Sequence, residues 1–313
     1  MQGLELSRKY YEEYGQKMLD GKFSDIKCQL CVGLCGSGSE CLGFDDDISQ
    51  DHDFEPGFCI FIPGEDIIDR QTAFQLEREY AKLPKEFSGF KRQPLSAVGG
   101  NRHGVIRLGD FLTEKLGRSD GKLDTRDWLT ISEQYLCEVT GGEIFFDGDG
   151  TFSAIRKTLK YLPDDVRLKK LASNLLIMAQ AGQYNYLRCL KHTESAAAQL
   201  AVVEFVKSAM HAVFLLNKKY MPYYKWSFRA LRELEKLSEL GETFEYLLTS
   251  QNDGDTSEIK YDAIESVAMM IIEELQAQKI TDAICGDLEK HAYSVNDHIC
   301  DAKIRNLNIL AGI

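Results

Sequence analysis

The chain reads as an α+β protein: a mixed sheet with flanking helices over residues 1–150, followed by an all-helical bundle domain over 151–313. Three observations predict this class. The apolar runs CVGLC at 31–35 and FCIFI at 58–62 have the length and side chains of buried strands, and a glycine- and serine-rich stretch joins them. Beyond residue 150 the apolar residues recur only at helical spacing. Between the two patterns stands Asp147-Gly148-Asp149-Gly150, the most evident hinge, which sets the domain boundary at 150.

Taken in order, residues 4–19 have helical periodicity, and Gly21 is read as their stop. The strand–turn–strand unit follows at 31–62. Residues 66–83 read as a helix with Ile68, Ala73, Leu76 and Tyr80 on one side. Residues 84–103, with two of the six prolines and three glycines, read as a loop. GVIRL at 104–108 is a short strand, 110–117 a helix ended by Gly117, and a further helix starts near Ser132. EIFF at 143–146 is the last strand. Thereafter 164–181, 194–219, 226–240, 258–280 and 282–310 read as amphipathic helices, the second with Leu200, Val203, Val206, Met210, Val213 and Leu216 on its apolar side.

At 313 residues, with 44% hydrophobic and 27% charged residues, the composition is that of a globular protein. No apolar run is read as bilayer-spanning and residues 1–15 lack a signal-peptide core, so the expected location is the cytoplasm, without a membrane partner. The net charge of −12 opposes non-specific nucleic-acid binding, which needs a basic footprint; nucleic acid is not expected as a partner. Nine cysteines, an odd number, do not suggest a disulfide framework. Cys28, Cys31, Cys35 and Cys41 cluster, but no second C-x-x-C pair follows, and Cys31 and Cys35 read as small apolar strand residues rather than zinc or iron–sulfur ligands.

The stretch that organises the chain is GSGSECLGFDDDISQDHDFEPGF at 36–58. Adjacent strands joined by such a turn bring backbone N–H groups and carboxylates to one sheet edge, where a phosphate can sit on the former and a divalent cation can bridge it to the latter. On an extended chain Asp51 and Asp53 point to one side and His52 to the other; Glu55 lies on the same side as the aspartates.

Gly38-Ser39, Gly43 and then Asp51-His52-Asp53 resemble the signature of the nucleotidyltransferase superfamily, with one extra residue between Gly43 and the aspartates. The whole chain is similar to a bacterial family catalogued as domain of unknown function 4037, through residues 36–58, LPDDVRLKKLA at 162–172, AQAGQYNYLRC at 179–189 and YMPYYKWSFRALREL at 220–234. The resemblance implies a nucleotidyltransferase-like sheet over 1–150. It further implies Mg²⁺ (or Mn²⁺) held by Asp51 and Asp53, and a nucleoside triphosphate donor whose phosphates rest on Gly38 and Ser39. Relatives add a third carboxylate from a later strand. GVIRLGD has no acid in its interior, which leaves Asp110 at its exit as the catalytic candidate and Glu55 as the other.

The helical half adds two polar segments. In GQYNYLRCLKH, Asn185 and Arg188 share a helix face, and Arg188 is placed to clamp a phosphate. In MPYYKWSFRAL, Lys225 and Arg229, four apart, are placed to meet phosphates, with rings that can stack on a base; the alternative is a helix–helix joint with solvated charges. Of six histidines, His103 is the candidate base or phosphate contact, and His291 and His298 lack partners at ligand spacing. The expected function is a Mg²⁺-dependent nucleotidyltransferase that moves a nucleoside monophosphate to a hydroxyl acceptor, preferably a small molecule. The alternatives are a catalytically degenerate nucleotide-binding sensor and an enzyme that modifies protein or RNA.

Overall fold

The computed structural model describes residues 1–46, 54–92 and 103–313; Asp51, His52 and Asp53 lie outside the described residues. The chain is α+β and forms two compact units: Met1–Leu123 with Gln134–Lys160, and Asp124–Glu133 with Tyr161–Ile313. The turn at 147–150, expected as the boundary, lies inside the first unit, which continues to Lys160.

The first helix is interrupted: α1 (Gly3–Tyr10) passes through a π turn at Tyr11–Gly15 into α2 (Gln16–Lys22). The wide turn sets Gly15 against the Phe58 ring, where a Cβ would not fit. β1 (Cys31–Leu34), α3 (Ser39–Leu42) and β2 (Cys59–Ile62) follow. α4 (Arg70–Ala81) is capped by Asp69, whose carboxylate accepts the Thr72 N–H at 2.7 Å. The expected loop contains a hairpin, β3 (Glu86–Phe87) and β4 (Phe90–Lys91). Ser88 and Gly89 turn it with φ of 51° and 87°, the primed geometry that suits a two-residue turn. β5 (Gly104–Arg107) runs into α5 (Leu108–Leu116), which ends at Gly117 with φ 72°. α6 (Thr125–Thr130), held by an Asp124–Asp127 capping box, belongs to the second unit. α7 (Glu133–Thr140, Glu133 itself counting with the second unit), β6 (Glu143–Asp147) and α8 (Thr151–Thr158) complete the first.

The sheet has the order β5-β2-β1-β6, with β1 antiparallel to both neighbours and β2 parallel to β5. Val32, Ile60 and Ile62 join Tyr10, Tyr11, Leu19, Leu76 and Tyr80 in one apolar cluster. Phe61, of the opposite parity, packs its ring on Phe111 at 5.2 Å and Phe152 at 4.9 Å. Both faces are covered, which is why these strands read as unbroken apolar runs. The register decides where function can assemble. Gly33 pairs with Cys59, and Cys59 with Gly104, so the exit of β1 and the entrances of β2 and β5 share one edge. Ile62 and Arg107, the exits of β2 and β5, share the opposite edge.

In the second unit α9 (Asp164–Met178) is the axial helix, buried on every side from Val166 to Leu176. It continues through a π turn, Ala179–Asn185, into α10 (Tyr186–Lys191). α11 (Ser195–Leu216), α12 (Tyr224–Arg232), α13 (Leu240–Thr249), α14 (Gly254–Ala277), α15 (Leu288–Asp297) and α16 (Ala302–Arg305) follow. By length and composition α11 could cross a membrane, contrary to the sequence reading; 61% of its most apolar window is buried, and it packs on α9, α10, α13 and α14. Its inward face is Ala198, Val202, Phe205, Ala209 and Ala212, whereas Leu200 is 68% exposed. The helix expected over 226–240 ends at Arg232, because Asn217 fixes the backbone of Lys236 and Leu237 turns with φ 61°.

Two buried lysines in this unit are held by backbone carbonyls and side-chain amides. Lys169, fully buried, donates to Asn296 Oδ1 at 2.7 Å, Leu307 O at 2.9 Å and Arg305 O at 3.2 Å, using all three ammonium hydrogens. Lys260, also fully buried, donates to Gln199 Oε1 at 2.8 Å and Ser250 O at 3.1 Å, with no salt bridge to a carboxylate among the described residues. Desolvation pushes its ammonium down to about 8.

Candidate functional site at the glycine-serine edge of the sheet

Three chain segments meet at the shared edge of the first unit. After β1 the chain turns through Gly36 (φ 120°) and Gly38 (φ 153°), conformations that suit glycine, and enters α3 at Ser39. The turn is tied down by the Gly36 N–H on Glu138 O at 3.1 Å and the Gly142 N–H on Cys41 O at 2.8 Å. α3 ends at Gly43 (φ 73°), where Phe44 N–H reaches Ser39 O at 2.8 Å. Gly38 and Ser39 are half-buried, and the Glu40 carboxylate folds against Gly38, over the turn.

The second segment, residues 54–58, enters β2. Phe54, Pro56, Gly57 and Phe58 are buried; Ser7 Oγ donates to Gly57 O at 2.6 Å and Phe58 N–H to Tyr80 Oη at 3.1 Å. Arg92 braces the segment, donating from Nε to Pro56 O at 3.0 Å and from Nη2 to Tyr10 Oη at 2.8 Å, with its guanidinium over the Tyr10 and Tyr80 rings. Burial raises both phenols, that of Tyr10 to about 12, so they stay protonated hydrogen-bonding groups.

The third segment brings His103, next to β5. Its Nδ1 lies 3.1 Å from Glu55 Oε1, and both side chains are largely buried, 10% and 20% exposed. Gly57 makes room for the ring: a Cβ there would meet His103 Cγ at 2.7 Å. A carboxylate on Nδ1 fixes the hydrogen there and leaves Nε2 as a base. Sequence reasoning named His103 and Glu55 separately; the sheet register makes them a pair.

Of the other expected residues, the one in the first unit falls elsewhere. Asp110 is exposed in the first turn of α5, past the exit of β5, and so at the edge opposite the glycine-serine turn. The cause is strand direction: β5 runs parallel to β2 and antiparallel to β1, so leaving β5 means leaving the site. In the second unit Arg188 is exposed with its guanidinium 5.0 Å from the Tyr184 ring. Gln183 is structural, bonded to Glu265, Gly286 O and the Leu288 N–H. Lys225, exposed, lies over the Trp226 ring at 5.0 Å, and Arg229 is half-buried on α12.

Among the described residues no three of His, Cys, Asp and Glu are grouped to hold a metal ion. Cys31, Cys35 and Cys41 are buried and Cys28 is exposed, and burial holds the Cys31 and Cys35 thiols well above their usual range, as core residues. The acidic run at 45–55 is rich in carboxylate oxygen donors, the kind that a hard cation such as Mg²⁺ takes, with His52 among them. Within it, Asp45 accepts the Gly3 N–H through Oδ2 at 2.7 Å while its Oδ1 is buried with no hydrogen-bond partner among the described residues. Carboxylate oxygens of this kind suit such a cation; Asp51 and Asp53 lie outside the described residues. An open pocket of about 180 Å³ beside β6 is lined by Arg8, Lys27, Tyr11 and Phe146, but its cations are already paired, with Glu143 and Asp20.

A second polar group escaped the sequence reading because its members are scattered between 129 and 221. Buried Glu133 accepts the Met221 N–H at 3.2 Å, and buried Lys170 donates to Leu129 O at 3.1 Å. Burial lowers the proton affinity of Lys170 and His211, while the Glu133 charge acts to raise it in both. Nearby Arg167, 3% exposed, has its Nε on Asp164 and its Nη1 buried without a hydrogen-bond partner among the described residues. No solved structure and no curated protein matches the chain. A family model described as a domain of unknown function (DUF4037) matches residues 128–227. The similarity therefore covers this second polar group and the start of α12, and leaves the glycine-serine edge outside it.

Proposed function

We propose that the chain is a Mg²⁺-dependent nucleotidyltransferase whose catalytic unit is the first, nucleotidyltransferase-like one. The observation that carries the reading is the meeting, at one sheet edge, of the glycine-serine turn and the Glu55–His103 pair. The Gly38 and Ser39 amides would take the terminal phosphates of a nucleoside triphosphate. Mg²⁺ held by Asp51 and Asp53 would supply charge neutralisation for the triphosphate. The acceptor hydroxyl attacks the α-phosphorus, the bond to the pyrophosphate oxygen breaks, and the acceptor proton passes to His103 Nε2. Glu55 holds the imidazole in the tautomer this requires. A small-molecule acceptor remains the favoured class, and Arg188, Lys225 and Arg229 stay candidates for phosphate contacts.

The placement of Asp110 at the far edge favours a second reading, a nucleotide-binding sensor with degenerate chemistry. Thermal stabilisation by ATP, GTP, CTP and UTP, with and without Mg²⁺, tests the first against Asp51→Asn/Asp53→Asn. A Mg²⁺-dependent shift lost in the double variant, with pyrophosphate release in the presence of an acceptor, supports the enzyme. A shift with no pyrophosphate supports the sensor, and no shift with any nucleotide overturns both.

A further inference from the structure

Residues 218–232 contain five basic residues, Lys218, Lys219, Lys225, Arg229 and Arg232, and no acidic one, in a chain whose net charge is −12. The same stretch carries Tyr220, Tyr223, Tyr224, Trp226 and Phe228. Asn217 closes it into a loop. Its Nδ2 donates to Lys236 O at 2.9 Å and its Oδ1 accepts the Lys236 N–H at 3.0 Å, so the closed loop also takes in Glu233 and Glu235 and keeps an excess of cations. On α12, Lys225, Arg229 and Arg232 follow at i, i+4 and i+7 and share one face, while Ser227 and Leu231 are buried on the opposite one. Lys218, Lys219, Lys225 and Arg232 are exposed. Tyr223 and Tyr224 are 42% and 72% exposed, with ring centroids 4.2 Å apart.

We propose that this closed loop and α12 form a landing surface for single-stranded nucleic acid, which the whole-chain charge had argued against. Cations spaced along one helix face meet successive phosphates, and exposed rings offer stacking planes to unpaired bases whatever their sequence. A duplex keeps its bases stacked internally and gains only the charge term. An anionic membrane would call for exposed aliphatic side chains, but Leu231 points inward and the exposed rings are tyrosines. The proposal concerns binding without triphosphate or Mg²⁺; it shares Lys225 and Arg229 with the nucleotidyl-transfer reading, so the test substitutes Lys218, Lys219, Tyr224 and Arg232, which that reading does not use.

The test is fluorescence anisotropy of a labelled single-stranded oligouridylate with the full chain, at 50 and 200 mM salt. Parallel titrations use a duplex of equal length and phosphatidylserine vesicles, and circular dichroism melts check the fold of each variant. The single strand should bind more tightly than the duplex, and Tyr224→Ala should weaken it by about fivefold or more. Lys218→Gln/Lys219→Gln/Arg232→Gln should flatten the dependence of log K on log salt by about 2, three phosphate contacts at about 0.7 each. No binding by the wild type at 50 mM salt, binding untouched in both folded variants, or vesicle binding in place of oligonucleotide binding would each overturn it.

Discussion

Glu55 Oε1 and His103 Nδ1 stand 3.1 Å apart across the entrances of β2 and β5, and the ring of His103 rests where a Gly57 Cβ would be. Three residues therefore specify one position: a carboxylate orients the imidazole and a missing side chain admits it. Gly57→Ala should push the ring away and lower the melting midpoint. Paired with His103→Gly, the two losses should be less than additive, with a coupling of about 1 kcal/mol or more in the double-mutant cycle. Additive losses would mean that the ring does not depend on the space at Gly57.

The Glu40 carboxylate lies against Gly38, on the ground proposed for triphosphate oxygens. Two anions compete poorly for one turn. Glu40→Gln should tighten triphosphate binding by about three- to tenfold, the effect of removing a like charge near a partly buried site. Calorimetric titration would show it. Unchanged or weaker binding would place the phosphates elsewhere.

Lys260 gives the second unit a pH signature. Its folded ammonium titrates at about 8 whereas the unfolded one keeps the ordinary lysine value, so above pH 8 the unfolded chain holds a proton that the folded chain has lost. This contribution to stability rises with pH. The buried thiols of Cys31, Cys35 and Cys59 act the other way: burial raises them, and the stability they hold below about pH 9 declines as pH climbs further. The informative quantity is the melting midpoint of wild type minus that of Lys260→Met, which should grow more positive between pH 7.5 and 9.5. A flat difference would show that Lys260 is not desolvated.

Lys169→Met should remove the buried donor shared by Asn296 Oδ1, Arg305 O and Leu307 O, and free the last turns of the chain. The expected cost is about 2–4 kcal/mol in urea unfolding, with faster amide exchange confined first to residues beyond 296. Loss below about 0.5 kcal/mol would show that the ammonium carries no such role.

Sequence patterning made the strands legible because both faces of the sheet are covered, leaving Cys31–Leu34 and Cys59–Ile62 as uninterrupted apolar runs. The axial helix α9 was legible as a helix but not as a fully buried one, since its Lys169 and Lys170 look like a solvated face until their backbone acceptors, more than a hundred and about forty residues away, are known. The break after Arg232 was hidden for the same reason: ELEKLSEL favours helix locally, and a side chain from residue 217 overrides it. The hairpin at 86–91 had a visible cue, Ser88-Gly89 between aromatic residues. At the site, the glycine-serine turn could be read from spacing alone. The direction of β5 could not, and direction is what exchanges Asp110 for His103 at that edge.

Residues Asp124–Glu133 belong to the second unit although the chain returns to the first after them, and Lys170 holds Leu129 O from 41 positions downstream. During synthesis this segment leaves the ribosome well before its partner helix exists. Trp128 and Leu129, both buried at the end, must wait in water while the first unit is still being completed. A fragment stopped at residue 160 would hold every residue of the first unit yet keep that apolar segment permanently uncovered, so the two units cannot be separated by one cut.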